Sequence, residues 1–553
     1  MLNTIAALLL AALSANFIPP VAYEMSLAGN FAEPRPNHFH GGIDIKTAGV
    51  EGKPIYSVGD GYVSRLTVGL FGFGNAVYVT HPEGVTSVYC HLRSFSHRIR
   101  NILLRRQYAQ QSYTADISLT PLDCPVAKGQ LIAISGNTGA STAPHLHFEM
   151  HDTRTWDYLD PLDFLSPYLK DSLPPIAHGF MACPLDGKGV FNGGTSKQTF
   201  GFPSHRLDRH FEAWGKVGFA IWANDYAENS YNHYGVRHTV LSVDGHEVFR
   251  SDVTHIPANG NPYVNSWGDY EHYIRSGVWY MRSFIEPGNM LPVLHAAKNN
   301  GFIDFNEERD YHLTYTLTDF YGNSSKYEFV VTGRKTVIPA KKVTAGFFNA
   351  LMRWNRTNIF SRPGLQLVLP YGTLCSDIML QPSISSTSKA YSPEYSFYKR
   401  PFSLFGKGLI SIAVRKTVEK PEKLYIDQKS GMERYVGGSY RDGWVTAEIR
   451  ELSASYCVEY DDRAPQITPL GEEKWEWNNI IRFNVADDKS GVKICRGYID
   501  GQFILFEPTW KSHLITCRLT DSTIRKTGKK RRLKLVAVDN RDNEATFETS
   551  FVY

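Results

Sequence analysis

Two distant stretches of the chain repeat three sequence landmarks in the same order, and this repeat constrains the fold more than any other feature. The landmarks are alternating apolar and polar runs and turns rich in Asp, Asn and Gly, as is typical of β-strands and their connections. A repeat of this kind predicts two copies of one β-sandwich module. The pairs are DSLPPI (171–176) with DRAPQI (462–467), FAIWANDYAE (219–228) with FNVADDKSG (483–491), and TYTLTDFYGNSSKYEF (314–329) with KLVAVDNRDNEATFET (534–549).

The length of 553 residues is too great for one hydrophobic core, so the chain is expected to form several domains. The sequence predicts a mostly β fold. A compact antiparallel β-sheet domain is expected at 30–170, followed by β-sandwich (Ig-like) modules at 171–335 and 460–553. Between the two modules, 340–459 also contains short strands and predicts a β domain of uncertain type.

Composition and missing motifs exclude several classes of function. The 59 Lys and Arg residues nearly balance the 55 Asp and Glu residues, for a net charge of +4, so no nucleic-acid partner is indicated. Neither G-x-S-x-G nor G-x-x-x-x-G-K-[ST] occurs, so a serine hydrolase or a nucleotide-binding protein lacks support. The seven cysteines include no C-x-x-C pair, and their odd number leaves one thiol unpaired unless it pairs between molecules.

The first 18 residues, MLNTIAALLLAALSANFI, predict a signal peptide. Their apolar run is about a dozen residues long, whereas a membrane span needs about 20. A buried first helix is the alternative, because the run lacks a preceding Lys or Arg. No other apolar stretch approaches spanning length, so we expect an exported protein whose mature chain has no membrane span.

The run HLHFEM, within STAPHLHFEM (141–150), is expected to form a strand that carries chemistry. Alternation places His145, His147 and Glu149 on one face and the apolar residues on the other. A surface strand with incidental histidines is the simpler alternative. Further histidines lie at His40, four residues before Asp44 in a turn that leads into a strand, and at His91, which ends the second strand of a predicted hairpin.

Three motifs, HFHGGID (38–44), YCHL (89–92) and GNTGASTAPHLHFE (136–149), occur in this order. They resemble the H-x-x-x-D, Y-x-H-L and H-x-H motifs of the lysostaphin-type (LytM-type) zinc metallopeptidases. The resemblance covers about residues 35–165. It implies that His40, Asp44 and His147 bind Zn²⁺ and that His91 and His145 flank the metal-bound water.

The resemblance further implies a zinc endopeptidase that hydrolyses peptide cross-links of bacterial peptidoglycan through zinc-bound hydroxide. We therefore expect an exported protein in the cell envelope, with the periplasm favoured and an extracellular location as the alternative. The alternative is a non-catalytic envelope scaffold or a regulator of other wall hydrolases, since some members of the family lack metal ligands. Against this alternative, all five histidine and aspartate positions are present.

Other residues in and near the motifs are not assigned to the predicted site. The insertion SHRIRNILLRRQYAQQ (96–111) predicts a helix whose arginines form a solvated face, with substrate binding as the alternative. His38 is expected either beside the metal ligands or on the surface, and His81 in a turn. Cys90 is expected in the core. Residues beyond about 175 are expected to contribute positioning only, so that the first domain should fold alone.

Overall fold

The computed structural model describes residues 16–228, 230–340, 349–385, 391–429, 435–509 and 512–553. The apolar run of the predicted signal peptide lies outside these residues. Phe17, near the end of that predicted segment, is buried, with its ring against Phe164 and His81. The described chain is rich in strands, most of them antiparallel, so the predicted mostly β fold class is confirmed.

The first domain is built on one antiparallel sheet. Its strands, in spatial order, are Leu27–Gly29, Ile43–Lys46, His145–Asp152, Val85–Cys90, Asn75–Thr80, Gly61–Val68 and Ala115–Ser118. Pro125–Val126 and Tyr158–Leu159 extend this sheet at the side. A second sheet contains Pro54–Tyr56, Leu131–Ile134 and Ser94–Phe95, and Pro34–Arg35 pairs with His38–Phe39. The helices are His97–Gln110 and Leu162–Leu165, with a 3₁₀ turn at Ser166–Tyr168.

The alternation predicted for HLHFEM fixes the orientation of the central strand. Leu146, Phe148 and Met150 are fully buried in the core on one face of the sheet. The opposite face carries His145, His147 and Glu149, as predicted. Strand Ile43–Lys46 pairs with this strand so that Asp44 lies opposite His147. The register therefore brings the first and third motifs together.

The second module wraps an eleven-stranded sheet around one aromatic-rich core. Its main strands, in spatial order, are Gln198–Gly201, Ile176–Phe191, Arg206–Tyr226, Ser324–Gly333, Asp310–Thr318, His238–Val243, His246–Asp252 and Leu294–Ala296. His233–Tyr234, Met281–Arg282 and Ile303–Phe305 pair with the long strand Arg206–Tyr226. Helices Val264–Trp267 and Tyr270–Ser276 and 3₁₀ turns Asn261–Tyr263 and Asn299–Gly301 complete it.

The first domain and the second module share a core. Phe31 and Phe39, from the first domain, are buried within the second module's hydrophobic cluster. Strand Tyr158–Leu159 pairs with His255–Ile256 across the junction. The first domain is therefore not self-contained in this structure, and the expectation that it folds alone lacks structural support.

The remaining described residues form two further β units with separate cores. In the third unit, one sheet contains Asn358–Arg362, Leu365–Leu369, Ser403–Ala413, Trp444–Glu451 and Ser439–Arg441, and the other contains Ser383–Ser385, Glu394–Ser396, Ser455–Tyr460, Leu424–Gln428 and Tyr435–Gly437. Ala350–Met352 pairs with Ile378–Leu380, and Pro421–Lys423 is a 3₁₀ turn.

The last module has two four-stranded sheets. One contains Gln466–Pro469, Ile480–Ala486, Leu514–Arg518 and Glu507–Pro508, and the other contains Gln502–Ile504, Val492–Ile499, Lys530–Asp539 and Glu544–Val552. Helix Trp475–Asn478 and 3₁₀ turns Glu472–Lys474 and Leu519–Asp521 lie between strands. The two sheets enclose a core that includes Trp475 and Phe483.

The basic insertion forms the predicted helix, His97–Gln110, which packs between the first domain and the last module. Ile99 and Leu103 pack into the first domain, while several of its arginines are exposed, as predicted. Its other side contacts the last module. The Arg100 guanidinium lies 3.1 Å from Asp521, and the Tyr108 ring packs edge-on against Phe503 with centroids 5.5 Å apart. Sequence reasoning did not foresee this docking.

None of the seven cysteines forms a disulfide, and Cys90 is a core residue, as predicted. Within the part of the chain that the structure describes, no helix has the length and apolarity needed to cross a membrane.

Candidate metal centre

Three side chains from two neighbouring strands and the preceding turn converge at one end of the main sheet. Asp44 Oδ1 lies 3.0 Å from His40 Nε2 and 2.8 Å from His147 Nδ1, and the two ring nitrogens are 2.9 Å apart. All three residues are buried. The structure therefore brings together the three residues that the sequence predicts as metal ligands.

The glycine pair between His40 and Asp44 allows the turn to lie against the central strand. A Cβ atom at Gly42 would lie 2.0 Å from the Phe148 carbonyl oxygen, well inside van der Waals contact. Only glycine permits this approach without displacing the strand. The close packing sets the position of Asp44 relative to His147.

Each candidate ligand is oriented by a second partner. His40 Nδ1 donates to the Asn30 carbonyl oxygen at 2.6 Å, which leaves the Nε2 lone pair directed at the cluster. His147 Nε2 donates to Glu149 Oε1 at 2.9 Å, which leaves its Nδ1 lone pair for the cluster. The Arg35 guanidinium donates to Asp44 Oδ2 at 2.9 Å. Partners of this kind fix the tautomer and orientation of metal ligands.

A row of buried groups extends behind His147. Glu149 accepts hydrogen bonds from His147 and, at 2.7 Å, from His151 Nε2. Burial raises the pKa of Glu149, but its bonds to the two histidines outweigh this effect and lower the pKa to about 2. Glu149 is therefore a buried carboxylate anion that increases the basicity of His147.

The electrostatics favour an electron-pair donor at His40 and a cation near His147. Burial lowers the pKa of His40 to about 4, so its ring is neutral at neutral pH. Burial also opposes charge on His147, but its hydrogen bonds to Asp44 and Glu149 prevail and raise its pKa to about 9. Two buried carboxylates thus stabilise positive charge at this point, which a metal ion can supply in place of a proton.

The donor set fits a divalent metal with nitrogen and oxygen ligands, such as Zn²⁺. A tetrahedral Zn²⁺ with bonds of about 2.0–2.1 Å holds its ligand atoms roughly 3.3 Å apart. The three donor atoms would need to separate by only about half an ångström to reach that spacing. With three protein ligands, a fourth position stays open, as in catalytic zinc sites.

Two further histidines stand beside the three donors. His145 Nε2 lies 3.3 Å from Asp44 Oδ1, and the rings of His91 and His145 have centroids 4.9 Å apart. His91 Nδ1 donates to the Thr138 carbonyl oxygen and His145 Nδ1 to the Ala143 carbonyl oxygen, each at 2.8 Å. His91 Nε2 therefore carries a lone pair and can accept a proton, whereas His145 Nε2 faces the Asp44 carboxylate and is placed to donate a hydrogen bond to it.

His91 is held in an unusual conformation just after strand Val85–Cys90. Its φ is 59°, in the left-handed region that few non-glycine residues adopt. Its backbone N–H donates to the Phe73 carbonyl oxygen, and burial, followed by the neighbouring His147 and His145, lowers its pKa to about 3. The ring is therefore a neutral proton acceptor held in a fixed position. Such strain is common at functional sites.

Two glycine-rich loops, Gly69–Asn75 and Gly136–Ser141, border His91. A cavity of 850 Å³ lies between the second of these loops and the last module. Its lining includes Thr138 and Gly139 on one side and Trp475, Arg482 and Thr509 on the other. The last module therefore forms one wall of a cavity whose lining reaches Thr138 but includes none of the five predicted site residues.

The five site residues predicted from sequence all lie together, whereas other predictions fared differently. His38 is exposed and bonds to the Pro36 carbonyl oxygen, so it takes the surface position. His81 is more than a turn residue: it is buried and bonds to Ser87 Oγ and the Asp60 carbonyl oxygen. The roles of Arg35 and the Asn30 carbonyl were missed. A main-chain carbonyl leaves no signal in the sequence.

Comparison with family models gives two matches. The model described as peptidase family M23 matches residues 38–107, and a Zu5-like domain matches residues 349–461. The M23 match includes His40, Asp44 and His91, and it confirms the LytM-type resemblance of the motifs. The Zu5-like match falls on the third β unit, whose type the sequence pattern left undetermined.

Curated relatives match over the first domain. The chain is 32% identical over 112 residues to an uncharacterized metalloprotease of Haemophilus influenzae, covering 20% of this chain and 18% of that protein. It is 33% identical over 111 residues to the DD-carboxypeptidase/endopeptidase Mpg of Neisseria meningitidis, covering 20% and 19%. It is 30% identical over 138 residues to the peptidoglycan DD-endopeptidase ShyA of Vibrio cholerae, covering 24% and 26%. The first two matches span about a fifth of each relative's length.

Two solved structures resemble the same part of the chain. The catalytic domain of the M23 protein EnpA from Enterococcus faecalis is 21% identical, with 26% of this chain and 95% of that chain covered and a TM-score of 0.20. The catalytic domain of lysostaphin from Staphylococcus simulans is 22% identical, with 25% and 91% covered and a TM-score of 0.19.

Proposed function

We propose that this chain, which carries an M23 (LytM-type) peptidase domain, is a zinc-dependent endopeptidase that hydrolyses peptide bonds in bacterial peptidoglycan. The observation that supports this most strongly is the convergence of His40, Asp44 and His147 beside His91 and His145, whose Nδ1 atoms donate to main-chain carbonyl oxygens and whose Nε2 atoms are left for the site. His40, Asp44 and His147 would hold Zn²⁺. A Zn²⁺ ion bound by these residues would supply Lewis acidity and lower the pKa of a water molecule to about 7.

The side chains around the ligands divide the remaining work. His91 accepts a proton at Nε2 and can return it to the departing amine, because a main-chain carbonyl oxygen holds its Nδ1 proton. His145, whose Nε2 lies beside Asp44, can donate a hydrogen bond to the reacting groups. A protonated ring also stabilises negative charge on the former carbonyl oxygen. Glu149 and Arg35 act on the ligands rather than on the substrate, since they orient His147 and Asp44.

The substrate class is inferred from relatives. One curated relative is named a peptidoglycan DD-endopeptidase and another a DD-carboxypeptidase/endopeptidase. Action on this substrate requires export, and we propose the cell envelope, preferably the periplasm, as the location.

The test compares the full-length chain with a His91→Ala variant. Because His91 is not one of the three donor residues, the variant should keep normal zinc content. Its turnover should fall by about 10²- to 10⁴-fold, the usual contribution of a positioned acid or base. The control is His97→Ala, which removes an exposed histidine at the start of the helix. Purified peptidoglycan is digested, and the new peptide ends are identified by mass spectrometry.

The same experiment separates the enzyme from the scaffold or regulator. If the chain is an enzyme, the wild type releases new amino ends from peptidoglycan, and the His91→Ala variant releases them more slowly. A wild-type chain that holds one zinc yet releases no peptide ends would overturn the proposal in favour of a non-catalytic envelope protein. Equal turnover of wild type and variant would remove His91 from the mechanism.

A further inference from the structure

Three carboxylates meet at the junction of the first domain and the second module, away from the candidate metal centre. Asp171 lies in the segment that connects the two, Asp225 near the end of strand Arg206–Tyr226, and Asp319 directly after strand Asp310–Thr318. One oxygen from each lies within 4.8 Å of the others. Asp225 and Asp319 are buried, with 7% and 2% of their surfaces exposed.

One of the buried oxygens has no partner. Asp225 Oδ1 makes no hydrogen bond, although its neighbours are satisfied. Asp319 accepts two bonds from Asn323, and Asp171 accepts one from the Leu173 N–H. A buried carboxylate oxygen without a partner is costly and indicates a missing ligand.

Among the described residues, no salt bridge joins these three carboxylates to a cationic side chain. Lys170 and Arg237 line the same cavity, and Arg237 is paired with Asp160 and Asp163. Burial, followed by the nearby charges of Asp171 and Asp319, raises the pKa of Asp225 to about 8, so Asp225 is mostly protonated at neutral pH. A bound cation would stabilise its carboxylate form.

We propose that Asp171, Asp225 and Asp319 bind a Ca²⁺ ion. The site offers only oxygen ligands, which hard cations prefer, and it contains no histidine or cysteine that would favour zinc. Two oxygens bound to one Ca²⁺ at about 2.3–2.6 Å are at most roughly 5.2 Å apart, which the observed spacing satisfies. A cavity of 580 Å³ that includes Asp171 and Asp225 in its lining leaves room for the ion and its waters.

The last module repeats the arrangement. Asp461, Asp487 and Asp539 also place one oxygen each within 4.8 Å of the others. Asn543 donates to both oxygens of Asp539 and to the Asp461 carbonyl, as Asn323 does to Asp319 and to the Asp171 carbonyl. Asp487 Oδ1 accepts main-chain bonds from Lys489 and Gly491, whereas Asp225 Oδ1 accepts none. The inference is therefore limited to the first cluster, whose unpartnered oxygen distinguishes it.

The consequence of the site is mechanical. Asp171 belongs to the connecting segment, whereas Asp225 and Asp319 belong to the body of the second module. An ion shared among them fixes the path of the chain as it leaves the peptidase domain. This inference does not depend on the proposed catalytic activity.

The test uses the full-length protein, stripped of metals with a chelator and then resupplied with one equivalent of Zn²⁺. Ca²⁺ is titrated calorimetrically into the wild type, Asp225→Asn and a control, Asp208→Asn, which alters an exposed carboxylate on the same long strand. The wild type and the control should bind Ca²⁺ with equal stoichiometry. Asp225→Asn should bind one equivalent fewer.

Thermal unfolding supplies a second measurement, in which the order of the unfolding temperatures of wild type and variant depends on Ca²⁺. Without Ca²⁺, Asp225→Asn should unfold at a temperature equal to or above that of the wild type, because Asn cannot ionise and resembles the protonated carboxyl group in shape. With Ca²⁺, the order should reverse. Asp171→Asn, in the connecting segment, tests the same site if Asp225→Asn does not fold. Equal Ca²⁺ stoichiometry in the wild type and both site variants, or no Ca²⁺ binding by the wild type, overturns the proposal.

Discussion

Glu149 provides the sharpest test of how the protein tunes its candidate metal centre. It is buried and accepts hydrogen bonds from His147 at 2.9 Å and His151 at 2.7 Å. Its charge makes His147 a better electron-pair donor, although Glu149 is not itself one of the three donors. Removing the charge while keeping the shape isolates this effect.

In Glu149→Gln, the side-chain oxygen can still accept from His147, and its amide group can donate to a His151 ring that shifts its proton to Nδ1. Trp156 offers a carbonyl oxygen 3.3 Å from that Nδ1. The hydrogen bonds are then largely kept and mainly the charge is lost. Zinc affinity should fall about tenfold, or about 1.4 kcal/mol, the lower end for such partners.

In Glu149→Ala, the acceptor itself is lost, and two buried imidazole N–H groups lose their partner. We expect zinc affinity to fall about 100-fold, or about 2.8 kcal/mol. Competition against a chromophoric zinc chelator at neutral pH measures both affinities. Glu83→Gln, at an exposed hairpin turn, is the control and should bind zinc as the wild type does. The reasoning is refuted if Glu149→Ala binds zinc within about twofold of the wild type.

Three further predictions concern the ligands and the contacts between domains. His40→Ala or Asp44→Ala should remove bound zinc, because a three-ligand site that loses one ligand loses most of its affinity for zinc. Metal analysis measures the zinc content. Full zinc content in both variants would contradict the ligand assignment. A fragment of residues 16–170 should be unstable, because it exposes Phe31 and Phe39 to water. This exposure costs about 3–6 kcal/mol, a large share of a domain's free energy of unfolding. A cooperative thermal transition equal to that of the first domain in the full chain would contradict this prediction. Tyr108→Ala should speed proteolysis at the junction with the last module, because the aromatic pair of Tyr108 with Phe503 contributes about 0.5–1.5 kcal/mol to this contact. Zinc content should not change. Unchanged cleavage kinetics would show that the contact does not hold the module.

Strand alternation predicted part of the candidate site, whereas the roles of His40, Asp44, His91, His145 and His147 were implied by the LytM-type resemblance. The pattern H-x-H-x-E places His145, His147 and Glu149 on one face, and the glycines before Asp44 indicate a turn rather than a helix. The mostly β class followed from the same alternation. These are local signals, and each needs only a few neighbouring residues.

The parts that escaped prediction depend on contacts between distant residues. The shared core around Phe31 and Phe39 could not be foreseen, because an apolar residue in a loop does not identify the domain that buries it. The Arg100 contact with Asp521 joins positions far apart in the chain, and an arginine on a helix face is equally suited to solvent. The Asn30 carbonyl that orients His40 is a main-chain group that any residue would supply.

The docking of helix His97–Gln110 on the last module has a further consequence, because both partners belong to one chain. Tethering keeps the last module at a high effective concentration, of the order of millimolar for short flexible connections. A few contacts, such as Arg100 with Asp521 and Tyr108 with Phe503, can then hold a pairing that two separate proteins would not maintain. A single backbone cleavage between the second and last modules would remove this advantage. The cavity between the Thr138 loop and the last module would then lose one wall even if every domain stayed folded.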